Sequence, residues 1–369
     1  MEKAGKGPYL ILMNHSSFID LKIASKIFFP HRYCIICTSD GFVGKEWLMR
    51  RLGCIPTQKF VTDLSLIMDM LHVIKRKKTS ILMYPEASYS FDGCATPLPR
   101  KLGTLIKKLD VPVLTVITEC AFLRDPLYNC LQLRKTKVSA KLTCLLSKEE
   151  IKERSVEEID ALLDNAFSFD NFKRQYETNT EIKENFRADG LHRILYKCAA
   201  CKTEGKMLGK GTMLKCQECG KAYELTTIGK LKATSDHTEF PHIPDWYNWQ
   251  RQEVIKEIHA REYLMELPVD IGIMVDYKSI YMVGEGHLTH NSDGFRLISQ
   301  DGTLTYSQSP KSCYGLYADY YWYEIGDVIC IGNKDRLYYC FPKTNDPVAK
   351  ARLATEELYK LSKKQKTNA

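Results

Sequence analysis

Between residues 8 and 145 the chain alternates short apolar runs with amphipathic stretches, and that alternation limits the possible folds more than any other feature. Residues 9–13, 33–37, 80–84 and 113–117 are nearly continuous apolar runs, the pattern of strands covered on both faces. Between them, residues 21–28, 45–52, 64–75 and 101–109 carry helical spacing. Strand–helix alternation of this kind predicts an α/β domain with a mostly parallel sheet and flanking helices.

The chain has 369 residues, more than one such domain needs, and the pattern changes along it. We read residues 1–146 as the α/β core and residues 147–190 as a helical connector. Ser147 and Glu150 have capping-box spacing, and Val156, Ile159, Leu162, Leu163 and Phe167 keep a helical period. Residues 191–240 hold two cysteine pairs and little core material. Residues 241–262 form a linker helix whose Trp246 and Trp249 pack against that segment. Residues 263–369 read as a small α+β, β-rich domain. It shows alternation at 279–283 and 327–331 and turn signals at Asp293-Gly294 and Asp301-Gly302. A closing helix has Asp346 as its cap, Pro347 at its first position and Val348, Ala351, Ala354, Leu358 and Leu361 on one face.

No stretch approaches ~18 consecutive apolar residues, so no membrane-spanning helix is expected. The first residues become apolar too briefly for a secretory signal. Fourteen cysteines in a chain read as unexported point to reduced thiols and metal ligands. Cys198-x2-Cys201 and Cys216-x2-Cys219 lie fourteen residues apart and have the spacing of a zinc ribbon. Four thiolates leave no open position, so the metal would be structural; iron also suits such a ligand set. Cys34-x2-Cys37 sits inside a strand, where positions three apart face opposite sides, and both are read as buried core thiols. The net charge of +8 permits anionic lipid, acidic metabolite or nucleic acid as a partner without choosing among them. Basic residues do not cluster around the cysteines with interleaved aromatics, so no nucleic-acid partner is expected.

The segment Asn14-His15-Ser-Ser-Phe-Ile-Asp20 follows the first strand directly, and ligands bind beyond the carboxyl ends of strands in open α/β sheets. One short turn can bring the Asp20 carboxylate to the His15 ring, fixing its tautomer and leaving the other nitrogen to take a proton. The same pair also suits a hydrogen-bonded histidine at a helix start. Three further segments bear on that choice. They are Gly53-Cys-Ile-Pro-Thr-Gln-Lys59, Tyr84-Pro-Glu-Ala-Ser-Tyr-Ser90 and Val111-Pro-Val-Leu-Thr115. In order and spacing, with His15-x4-Asp20, they resemble the glycerolipid acyltransferase family, whose members include those that acylate lysophosphatidic acid.

The resemblance covers residues 8–145. It implies transfer of a fatty acyl group from an acyl thioester, on coenzyme A or acyl carrier protein, to a hydroxyl of a lysophospholipid or glycerol-phosphate-type acceptor. His15 would be the general base and Asp20 its partner, and Lys59, Glu86, Ser88 and Tyr89 would meet the acceptor. The lipid acceptor and the +8 charge together place the protein on the cytoplasmic face of a membrane, bound peripherally. Two positions depart from the family pattern: Tyr89 stands where arginine is usual, and Ala87 where glycine is. A zinc-ribbon nucleic-acid-binding protein and a non-catalytic lipid-binding scaffold are the alternative readings.

Overall fold

A computed structural model describes residues 4–60, 64–99, 101–275, 278–333, 336–344 and 347–367, so the Asp346 cap lies outside the described residues. The chain forms two compact units, Met1–Arg124 with Lys137–Asn171, and Asp125–Thr136 with Phe172–Ala369.

The first unit runs β1 (Leu10–Met13), α1 (Asp20–Phe28), β2 (Tyr33–Thr38), α2 (Glu46–Arg51), β3 (Cys54–Thr57), α3 (Leu64–Lys75), β4 (Ser80–Met83), α4 (Leu102–Leu109), β5 (Val113–Glu119), α5 (Ala121–Arg124), β6 (Ser139–Leu146), α6 (Lys148–Glu153) and α7 (Val156–Ala166). Among the described residues its strands form one sheet in the order β3-β2-β4-β1-β5-β6. All neighbours are parallel except β5 and β6. Alternate residues of the central strands feed two cores. Leu10, Leu12, Ile81 and Val113 pack with Ile74 of α3, Ile106 of α4 and Ile159 of α7. Ile11, Met13, Leu82 and Leu114 pack with Ala24 and Phe28 of α1. This two-sided burial is why these strands read as continuous apolar runs.

Two strands escaped the sequence reading. β3 contains Pro56, which cannot donate to a ladder, and it is tolerated because β3 is an edge strand. β6 opens on Ser139, Ala140 and Lys141, all exposed, so it lacks the apolar run of a central strand. The capping box is present as its spacing predicts: Ser147 Oγ accepts from Glu150 N at 3.2 Å and Glu150 Oε2 from Ser147 N at 2.8 Å. Ile159, Leu163 and Phe167 are buried on one face of α7 and its C-cap.

Cys34 and Cys37 differ from expectation in being half-buried. Cys34 and Ile36 pack with the first core, whereas Tyr33 and Ile35 pack with the second. The strand therefore sends the two thiols to opposite faces, where they cannot share an ion.

After α8 (Asn171–Glu177), which begins on the last residue of the first unit, the second unit continues with β7 (Met207–Lys210), β8 (Met213–Cys216), β9 (Ala222–Leu225), β10 (Leu231–Ala233) and α9 (Ile243–Ala260). β7 to β10 form an antiparallel sheet. This segment holds more core than its composition suggested, because α9 supplies it. Trp246 is fully buried edge-on to Tyr223, with ring centroids 5.0 Å apart, and its indole nitrogen donates to Lys197 O at 3.0 Å. Gln250, also buried, accepts from Lys197 N and donates to Ile194 O.

The remainder comprises β11 (Leu264–Val275), β12 (Ser279–Asn291), β13 (Gly294–Ser299), β14 (Thr305–Gln308), β15 (Tyr317–Trp322), β16 (Gly326–Gly332), β17 (Leu337–Pro342) and α10 (Pro347–Thr367). Its strands make one antiparallel sheet in the order β14-β13-β12-β11-β17-β16-β15. Val348, Ala351, Ala354 and Leu358 of α10 are buried, as their spacing predicts. No helix among the described residues is long and apolar enough to cross a membrane.

Candidate active site

The site begins where β1 ends. Asn14 is fully buried and ties that end to β5: its Oδ1 accepts from Thr118 N at 2.8 Å and Thr118 Oγ1 at 3.1 Å. Its Nδ2 donates to Ser16 Oγ at 3.0 Å. The chain then turns, and Asp20 opens α1. Asp20 Oδ2 accepts from Ser16 N at 2.8 Å and Ser17 N at 3.0 Å, and lies 3.2 Å from His15 Nδ1. A carboxylate only accepts, so this contact places the proton on Nδ1 and the lone pair on Nε2. The other oxygen, Asp20 Oδ1, is buried without a hydrogen-bond partner. The Asp20 side chain is 1% exposed, whereas His15 keeps 17%. Burial pushes the His15 pKa below its ordinary value; the Asp20 hydrogen bond and charge oppose that shift, and the nearby Lys59 charge reinforces it. The imidazole is therefore neutral at neutral pH and able to accept a proton.

The loop after β4 closes over this turn. Ala87 N donates to Tyr84 O at 3.1 Å, and Ala87 itself sits at φ +57°. That left-handed conformation favours glycine. Ser90 N donates to His15 O at 3.0 Å, and Ser90 Oγ to Cys94 O at 2.6 Å. Ser88 and Ser90 are both buried.

Glu86 is 0% exposed, and its two oxygens accept from His15 N at 2.9 Å and Thr96 N at 2.8 Å. Its carboxylate braces the backbone of the site. Lys59 lies half-buried in the turn after β3 and close enough for its charge to reach His15.

The site also contains an aromatic stack that the sequence reading missed. The His15 ring lies 4.0 Å from Tyr84 at 20° and 3.6 Å from Tyr89 at 27°, measured between centroids and planes. Tyr89 in turn stacks on Phe18, at 5.2 Å and 6°. The available signal was three aromatic residues lying inside the two motif segments themselves.

In the second unit, Cys198, Cys201, Cys216 and Cys219 bring their sulfurs within 4.8 Å of one another. Two of the separations are 3.8 Å (Cys198–Cys219) and 3.7 Å (Cys201–Cys216). A tetrahedron with Zn–S bonds of about 2.3 Å has edges of about 3.8 Å, so the cluster fits such an ion. The two pairs are also folded alike. Cys198 N donates to Thr203 O and Lys202 N to Cys198 O; Cys216 N donates to Lys221 O and Gly220 N to Cys216 O. Lys202 and Gly220, in corresponding places, have φ of +65° and +77°.

Residues 1–119 match the family model described as Acyltransferase. No curated protein matches the chain. Among solved structures the chain is similar to the crystal structure of the 1-acyl-sn-glycerophosphate (LPA) acyltransferase PlsC from Thermotoga maritima. That match has 19% identity and a TM-score of 0.33, covering 46% of this chain and 70% of that one.

Proposed function

Residues 1–119 being a domain of the acyltransferase family, we propose that this chain moves a fatty acyl group from an acyl thioester to a hydroxyl of a lysophospholipid or glycerol-phosphate-type acceptor. The observation that carries this reading is the contact of His15 Nδ1 with the buried Asp20 carboxylate at the carboxyl end of β1. His15 Nε2 takes the hydroxyl proton as the oxygen attacks the thioester carbonyl. Asp20 stabilises the imidazolium that forms. The tetrahedral intermediate then expels the thiolate, which recovers the proton from His15. Coenzyme A or acyl carrier protein would carry the acyl group. Lys59, whose charge reaches His15, would face the acceptor, beside Ser88 from the motif loop. An acceptor of this class resides in membranes, so we place the protein peripherally on a cytoplasmic membrane face.

We assign the four-cysteine cluster to a structural zinc ion held by Cys198, Cys201, Cys216 and Cys219. The sulfur separations support it, and four thiolates leave no position for a reacting molecule.

A thiol-release assay with acyl-CoA or acyl carrier protein and a panel of lysolipids tests the function. Release that depends on the acceptor and disappears in His15→Ala supports the reading. A wild-type protein inactive with every donor–acceptor pair, or a folded His15→Ala protein with wild-type turnover, would sink it.

A further inference from the structure

The stack on His15 is built in part on position 89, where the resembling family usually carries arginine and this chain has tyrosine. Two rings that each lie within 4.0 Å and 27° of one imidazole cannot share a face of it. Tyr84 and Tyr89 therefore cover opposite faces, and only the ring edge of His15 stays open to the acceptor. That edge bears Nδ1, held by Asp20, and Nε2. Phe18, which is 55% exposed, lies over the outer face of Tyr89 and separates the sandwich from solvent.

We propose that Tyr89 is a positioning residue for acyl transfer: stacked on His15 and backed by Phe18, it fixes the plane of the imidazole and keeps water from its face. This rests on the catalytic reading of His15 above. Aromatic pairs at these separations contribute beyond their buried area, so the two tyrosine rings hold the imidazole plane between them. The charged and titratable groups facing His15 are Asp20 on α1, Glu86 below its backbone, Lys59 after β3 and the two tyrosines. Burial, to which the two stacked rings contribute, and the Lys59 charge disfavour the protonated ring, whereas Asp20 favours it. An arginine at position 89 would bring a second cation against the same face. The tyrosine therefore gives up a grip on an acceptor phosphate in exchange for control of the base.

The experiment is an NMR titration of the His15 ring together with turnover, in wild type, Tyr89→Ala, Tyr89→Phe and Phe18→Ala. Removing the Tyr89 ring admits water, so the His15 midpoint should rise and the acid limb of kcat/KM should move to higher pH. Turnover at the optimum should fall about three- to tenfold, the scale of one stacking contact, with KM for the acceptor within about twofold. Tyr89→Phe keeps the ring and should restore both readouts. Phe18→Ala removes an exposed residue and should move the midpoint in the same direction by less, which keeps the test valid if Tyr89→Ala does not fold. An unchanged midpoint in folded Tyr89→Ala or, failing that variant, in Phe18→Ala would overturn the proposal. So would an effect confined to KM. Wild-type protein that releases no thiol would count against the catalytic reading instead, and the titration would still decide whether Tyr89 governs the state of His15.

Discussion

Replacing Glu86 by glutamine separates a brace from a substrate contact. Both Glu86 oxygens accept backbone N–H groups, from His15 and from Thr96, inside a fully buried pocket. Glutamine keeps one acceptor and turns the other into an NH2 that faces a donor. One charge-assisted bond is lost and a buried N–H is left unpaired, a cost of about 2–4 kcal/mol. The amide is easier to desolvate than a carboxylate, which offsets part of that. At roughly 2–4 °C per kcal/mol for a domain of this size, the first unit should melt about 5–15 °C lower. Because one of the two bonds holds the His15 backbone, kcat should fall as well, by up to about 10²-fold if the ring moves by about 1 Å. KM for the acceptor should change little. Thermal melting followed by thiol-release kinetics on the folded fraction reads all three quantities. An unchanged melting temperature with a raised acceptor KM would refute the brace and restore Glu86 to the binding surface.

His15→Ala should lower turnover of the folded fraction about 10²–10⁴-fold and also lower the melting temperature, since it empties the stack between Tyr84 and Tyr89; Asp20→Asn should also lower turnover by presenting NH2 to the ring, as acceptor-dependent thiol release would show. The pKa of His15 is lowered in the fold, so its neutral form is intact above the ordinary value of about 6.5 and is lost as pH falls through the lowered one; kcat/KM should show its acid limb below about 6.5. Ala87→Gly relieves a left-handed residue and should raise the melting temperature, the strain of about 1–2 kcal/mol being partly offset by the entropy of glycine. Metal analysis should find about one zinc per chain, and Cys201→Ser should release it and unfold the ribbon while the first unit keeps its melting transition. Liposome flotation should show binding to anionic bilayers that weakens as salt rises.

What the sequence made legible follows from where each residue's partners lie. β1, β2, β4 and β5 were visible because burial on two faces writes itself into consecutive residues. β3 and β6, at the two edges of the sheet, have fewer partners and carry no such run. The pairing of His15 with Asp20 was legible because one turn of five residues makes the contact. The partners of Glu86 were not, because its carboxylate reaches 71 residues back to the His15 backbone and ten forward to Thr96. The cysteine cluster was legible in its spacing, whereas the core beside it was not, since Trp246 and Gln250 arrive from a helix that the sequence assigned to a linker.

The two departures from the family pattern, at positions 87 and 89, have a common geometric basis. Tyr84 and Tyr89 belong to one short segment yet cover opposite faces of the same ring. A segment can do this only if the chain reverses between them, and the reversal is the turn closed by Ala87 N on Tyr84 O. Its sharpest residue is Ala87, at φ +57°. The strain of a non-glycine residue is thus located at the step that lets one loop supply both walls around the His15 ring. A β-branched residue at position 87 would be worse placed than alanine, because its side chain crowds the left-handed backbone further. Ala87→Val should therefore lower stability and disturb the His15 titration together, whereas Ala87→Gly should raise stability and leave the titration in place. If Ala87→Val left the His15 midpoint untouched in a folded protein, the turn would not be what holds the stack.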